Sequence, residues 1–220
     1  RDRSPSRGLG DVYKRQSIVC AFIAGTFGIL VGYGVAKRRG SKLSNYVSNL
    51  AFLPYLIPAM SFATIYLILS YTSALSFLNG SLVLLIVVGS IKFLPFASKS
   101  GTNAMLQLSN EIEEAAIIVG VPWWKRMVKV LFPIQKSSFI SGYLLPFVSC
   151  MRELTLFVLL TGSSTILTAV LQNYEKYDCT QISNGINLII ILSVLIINVV
   201  VNKLTGASID KGVGLSLIHI

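Results

Sequence analysis

The sequence predicts an all-α, polytopic transmembrane helical bundle of about five spans with a helical loop on its cytoplasmic side, and three observations predict it. Charge is scarce: 53% of residues are hydrophobic and 13% charged, with a mean hydropathy of +0.70, whereas roughly a quarter of the residues in a soluble domain are charged. The few charges leave long gaps, with none in 17–36, 43–91, 154–174 or 179–202. A bilayer core of roughly 30 Å takes about 20 apolar residues at about 1.5 Å each, so every gap can span and the longest holds most of two spans. Finally, the 19 basic and 9 acidic residues gather at the ends of the apolar runs. The formal charge of +10 therefore points to loops flanking a lipid bilayer and not to nucleic acid.

Helices are the default way to cross lipid with every backbone group bonded, and no run alternates with the period of two that a barrel strand needs. The first span covers 17–36. Its GTFGILVGYG stretch holds Gly25, Gly28, Gly32 and Gly34, and the Gly28/Gly32 pair is a G-x-x-x-G spacing that lets two helices approach closely. The second and third spans cover 50–70 and 80–100. Pro54 and Pro58 stand near the start of the second and Pro95 lies within the third, where each removes a backbone donor and kinks or breaks a helix. The fourth covers 138–161, with Pro146 inside it, and the fifth covers 185–202.

Orientation follows from lysine and arginine, whose excess marks short cytoplasmic loops. One set of alternating loops carries Lys37, Arg38, Arg39, Lys42, Lys99, Lys125, Arg126, Lys129, Lys136, Lys203 and Lys211, and the other only Lys176. This places 37–49, 101–137 and 203 onward in the cytoplasm, 162–184 outside, and the start of the first span outside. Lys92 and Arg152 fall within spans.

The two ends are set aside in this reading. Residues 1–16 carry seven charges and no apolar run of the kind a secretory signal has. They and the tail 215–220 resemble translated sequencing-adapter scars, and the expectation is a native transmembrane domain over 17–210 cut from a longer gene. The one histidine, His219, goes with the tail. Cys20, Cys150 and Cys179 form no C-x-x-C pair, and neither a metal site nor a cofactor is expected.

The most informative stretch is the loop 109–133, SNEIEEAAIIVGVPWWKRMVKVLFP. Asn110 and Glu113 have capping-box spacing, and Glu111, Glu113 and Glu114 suit the positive end of a helix. Ile112, Ala115, Ala116 and Val119 form an apolar stripe. Gly120 has the conformational freedom to close that helix, Pro122 suits the first turn of a second one, and Pro133 limits it. Two readings follow: an amphipathic hairpin lying on anionic lipid, or an elbow that docks another protein.

At this point the text resembles a family. Glu114-Ala115-Ala116, three residues, Gly120, nine residues and Val130-Leu131-Phe132-Pro133 match the EAA loop of importer-type ABC permeases, written E-A-A-x3-G-x9-I-x-L-P. Val130 and Phe132 are mild departures. The resemblance implies a type I, MetI-like permease fold in a bacterial cytoplasmic (inner) membrane. Its loop would be a pair of coupling helices, with Glu114, Ala115 and Ala116 in the docking helix, Gly120 at the bend and Pro133 closing the motif. It also implies three protein partners: an ABC ATPase subunit, an extracytoplasmic substrate-binding protein, and a second permease half, fused or homologous. The chain has no G-x4-G-K-[ST] loop, so ATP hydrolysis is assigned to the partner and no catalytic residue is expected here.

Leu53-Pro54, Ile57-Pro58, Phe93-Leu94-Pro95-Phe96 and Arg152-Glu153-Leu154-Thr155 look like ferric-iron-type permeases, which often show L-R-E-L-S where this chain has Met151 and Thr155. Thiamine, phosphonate and polyamine permeases are the alternatives. Charges inside a span are costly and face protein or a watery cavity. Arg152, Glu153 and Lys92 are therefore candidates either for the translocation path or for a structural in-membrane ion pair. A secondary transporter is the weaker rival, because it needs no docking elbow and more often carries several acids in its spans. A lipid-metabolising enzyme would need a polar catalytic constellation near the membrane surface, and with no histidine in 17–210 and Glu175 and Asp178 the only acids in the predicted outside loops that option is weak.

Overall fold

The computed structural model describes residues 5–153, 155–161 and 174–206; residues 1–4, 154, 162–173 and 207–220 fall outside it, and with them the readings made for Leu154, Lys211, the tail 215–220 and most of 162–184. All described elements are helical. They are α1 (Pro5–Lys37), α2 (Lys42–Leu56), α3 (Ala59–Ser70), α4 (Leu82–Leu106), α5 (Asn110–Ile118), α6 (Trp123–Arg126), α7 (Phe132–Ile134), α8 (Lys136–Arg152), α9 (Thr155–Thr161) and α10 (Thr180–Thr205). A 3₁₀ turn lies at Ser76–Leu78 and a π-helical turn at Met127–Leu131.

α1 contains the predicted first span and runs back from it to Pro5. It ends where Lys37, Arg38 and Arg39 give way to Gly40 at φ +85°. Ser41 then caps α2, its Oγ accepting the Ser44 N–H at 3.1 Å, while the Ser44 hydroxyl donates to the Val35 carbonyl of α1 at 2.9 Å.

The second predicted span is not one straight helix. It starts earlier, at Lys42, and breaks at Ile57–Pro58, after which α3 leaves at 98° to α2. Pro58 has no N–H to continue the ladder and pushes its predecessor out of the helical region; Ile57 accordingly sits at φ −80°, ψ 127°. α4 matches the third predicted span and absorbs Pro95 without a break. The fourth is again divided. α8 stops at Arg152, Glu153 is extended at φ −79°, ψ 115°, and the Glu153 carboxylate accepts the Leu156 N–H of α9 at 3.2 Å. α10 covers the fifth, closed by Gly206 at φ +68°.

α4 is the central element and packs against both α1 and α8. The G-x-x-x-G face of α1 lies directly on it. A Cβ added at Gly32 would stand 2.5 Å from the Thr102 nitrogen, and one added at Gly28 would stand 2.8 Å from the Ser98 nitrogen. Two buried clusters result. One, around Phe62, Leu85, Val88, Leu156 and Phe157, joins α3, α4 and α9. The other, around Ile29, Met105, Met127, Leu131 and Phe139, seats the 109–133 loop against α1, α4 and α8.

The outer surfaces remain apolar. α1, α4 and α10 are each long and apolar enough to cross a bilayer, as is the bent α2–α3 pair taken together. Leu188, Ile189, Leu192, Leu195 and Ile196 of α10 are exposed, as lipid-facing residues are.

Candidate functional site

The loop builds an elbow from its own sequence. Ser109, not Asn110, is the N-cap of α5, its Oγ accepting the Glu111 N–H at 3.3 Å. The N-cap therefore lies one residue earlier than predicted, Ile112 stands at its third position so that no capping box forms, and both Asn110 and Glu113 turn to α1 instead. Asn110 Oδ1 accepts from Lys37 Nζ at 3.2 Å, and Glu113 Oε1 accepts from the Tyr33 hydroxyl at 2.6 Å.

α5 closes as Gly120 was expected to close it. Gly120 has φ +78°, its N–H donates to the Ile117 carbonyl at 2.8 Å, and the Val121 N–H returns to the Ala116 carbonyl at 3.0 Å. This pair of bonds across a left-handed glycine is a helix C-terminal lock. Arg126 ties the far side of the bend, donating from Nη1 to the Val121 carbonyl at 2.9 Å. Pro122 lies just before α6 as its N-cap. Pro133 does not stop the second helix where the sequence reading placed its limit. The chain stays helical through Ile134 and turns at Gln135, φ −104° and ψ 27°. The π-helical turn ends at Leu131, two residues before this proline, with the Phe132 N–H reaching back to the Met127 carbonyl, so its missing donor falls just after the ladder has changed register.

Within the elbow, Glu114, Ala115, Ile118, Val119 and Gly120 are exposed, Ile118 by 85% and Val119 by 80%. Ala116 is half-buried. The face holding the motif residues is thus open, while Glu113 is almost wholly buried at 3%. Besides Tyr33, Glu113 meets Lys37 Nζ at 2.6 Å and Arg126 Nε at 3.7 Å. Burial by itself raises its carboxyl pKa, but hydrogen bonds from Lys37 and Tyr33 and the charges of Lys37 and Arg126 outweigh that and hold it below the ordinary carboxylate value. Trp123 meets the Tyr33 ring edge-on at 5.8 Å. Sequence reasoning saw Glu113 only as a cap. The signal that would have found its role was Tyr33 and Lys37, one turn apart on α1.

The second site lies in the membrane-spanning part. Lys92, Arg152 and Glu153 line one cavity of about 530 Å³, together with Pro58, Phe93 and Phe96. Lys92 is buried and donates to the Pro54 carbonyl at 2.8 Å and the Ile57 carbonyl at 2.5 Å. The missing N–H of Pro58 leaves the Pro54 carbonyl without its helical donor, and the lysine supplies one at the negative end of α2. Its ammonium also stands 5.2 Å from the Phe62 ring centroid. Glu153 caps α9, and among the described residues no ion pair joins these three side chains. No three His, Cys, Asp or Glu side chains among the described residues are grouped to hold a metal ion.

A family model described as "Binding-protein-dependent transport system inner membrane component" matches residues 26–210. The chain is similar to a putative ferric transport system permease protein of Haemophilus influenzae, 22% identical over 150 residues, 67% of this chain and 23% of that protein. A ferric transport system permease protein of Actinobacillus pleuropneumoniae is 23% identical over 70% of this chain and 22% of its own length, so the chain spans under a quarter of each ferric relative. A putative 2-aminoethylphosphonate transport system permease protein of Salmonella typhimurium is 24% identical over 181 residues, 80% of this chain and 67% of that protein. Among solved structures, a chain of the MetNI methionine ABC transporter in an inward-facing conformation superposes with a TM-score of 0.73, covering 91% of this chain and 94% of that one. At 18% identity that likeness is one of fold.

Proposed function

Since the chain belongs to the family of binding-protein-dependent transport system inner membrane components, we propose that it is the permease subunit of an ABC importer whose 109–133 elbow docks a separate ATPase subunit. The observation that carries this reading is the elbow itself: an exposed Glu114-Ala115 face on a helix locked by Gly120. The small side chains let another surface approach, and the locked bend transmits a push. ATP hydrolysis belongs to the partner. An extracytoplasmic binding protein delivers the substrate, and a second permease half, fused or homologous, completes the path through the bilayer.

For the substrate we propose ferric iron, on the similarity to the two ferric relatives and on the resemblance of the Arg152-Glu153 segment to ferric-iron-type permeases. A second reading, an anionic substrate such as a phosphonate, is favoured by the cavity, where two cations face one carboxylate. Iron would cross such a cavity only inside an anionic complex. Uptake of radiolabelled ferric iron against 2-aminoethylphosphonate by the complete importer separates the two.

The docking reading is tested with Glu114→Lys. This places a cation at the positive end of α5 and on its open face. Membrane levels should be unchanged, while recovery of the ATPase with the permease should fall about ten-fold, as when one charged interface contact is lost. Unchanged co-purification and unchanged uptake would refute the assignment.

A further inference from the structure

Glu113 is 3% exposed on a helix whose neighbours Ile112 and Glu114 face outward. Tyr33 and Lys37 stand one turn apart on the last turns of α1, and Asn110 and Glu113 stand one turn apart on α5, so each helix presents one face to the other. Across that contact run the Tyr33 hydroxyl and the Lys37 ammonium to Glu113, each at 2.6 Å, and Lys37 to Asn110 at 3.2 Å. Arg126 of α6 approaches the same carboxylate at 3.7 Å. The chain itself joins α5 to α4 on one side and to α8, through the elbow, on the other; α1 has no covalent link to the loop.

We propose that Glu113 is a positioning residue that makes α5 and the cytoplasmic end of α1 move as one body, so that displacement of the docking face enters the membrane through α1 as well as through α4 and α8. The inference rests on the reading of 109–133 as an ATPase-docking elbow. Apolar contacts between packed helices permit sliding of the shear type. A buried carboxylate held by a hydroxyl and an ammonium has fixed bond directions and loses its compensation when either helix slips. Placing the charge at Glu113, directly beside the exposed Glu114, puts the rigid link at the point where force arrives.

Hydrogen–deuterium exchange of the full chain, reconstituted in nanodiscs with its ATPase, tests this with a non-hydrolysable ATP analogue as the probe. In the wild type, nucleotide should change protection in both 109–118 and 30–37. In Lys37→Met and Glu113→Gln the response of 109–118 should persist, while that of 30–37 falls about ten-fold, the effect of losing one charged hydrogen bond. Lys37 is 28% exposed, so its substitution decides the matter if Glu113→Gln fails to insert. Tyr33→Phe, which keeps the ring on Trp123, should give an intermediate loss. An undiminished response of 30–37 in Lys37→Met would overturn the link while leaving the docking reading intact. A wild type whose 109–118 segment ignores nucleotide would overturn the docking reading, and the link with it.

Discussion

Gly120 combines φ +78° with open space around its missing side chain, since nothing lies within 4 Å of an added Cβ. A substitution there is strained by backbone conformation alone, by roughly 1–2 kcal/mol. Gly120→Val should therefore reach the membrane at normal levels, with ATPase-coupled uptake reduced and Gly120→Asn, which tolerates the left-handed region, restoring most of it. Equal uptake by the valine and asparagine variants would show that the bend is not used. At Glu113 the sign of the pH dependence is fixed by a carboxyl held below its ordinary value. Its contribution is complete above the unfolded value of about 4.3 and is lost only as pH falls through the lower folded value. Protection of 109–118 against exchange should stay level from neutral pH down to about 5 and decline below about 4. Loss above pH 5 would contradict the depressed value.

At the scale of elements, the helix contacts separate glycines that are needed from glycines that are not. An added Cβ at Gly32 meets backbone atoms of α4, the Thr102 nitrogen at 2.5 Å and the Ser98 oxygen at 2.6 Å, whereas one at Gly34 meets nothing within 4 Å. Backbone cannot rotate aside, so Gly32→Ala must push α1 and α4 apart at a cost of about 1–3 kcal/mol. Gly34→Ala should leave thermal stability in detergent unchanged or slightly raised. Similar melting temperatures for the two variants would count against the α1–α4 contact. The G-x-x-x-G spacing was legible in the sequence because only glycine permits that approach. The Gly120 lock was legible because its surroundings were written locally, in a capped acidic helix followed by Val121-Pro122. The break at Pro58 was legible in kind, because a proline kinks or breaks a helix, but its 98° angle was not, and neither was the break at Glu153. An unbroken apolar run reads as one span whether its helix is straight or bent; at the second bend the Glu153 carboxylate turns onto a helix that starts only two residues on, whereas what holds the first, Lys92, is distant in sequence. The Glu113 cluster was hidden for the same reason, since its partners lie on α1.

For the whole molecule, the basic ends of the helices converge. Lys37 at the end of α1 meets Asn110 and Glu113 at the start of α5, Ser44 at the start of α2 bonds the carbonyl of Val35, and Ser137 at the start of α8 donates to the Gly206 carbonyl after α10 at 2.5 Å. Lys37, Lys42, Lys136 and Lys203 thus belong to helix ends tied to one another at a common end of the bundle, while Tyr177 stands before α10 at its opposite terminus. From the excess of lysine and arginine we propose that the common end is cytoplasmic. We predict that Ser109→Cys is labelled by a membrane-impermeant maleimide only in inside-out vesicles, and Tyr177→Cys, 79% exposed in the parent, only from the outer face of intact cells. Cys20 and Cys150 are buried and need no replacement, but Cys179 is half-exposed and must first become serine. Labelling of both positions from the same side would break the agreement between charge and packing, and would place the elbow where no ATPase could reach it.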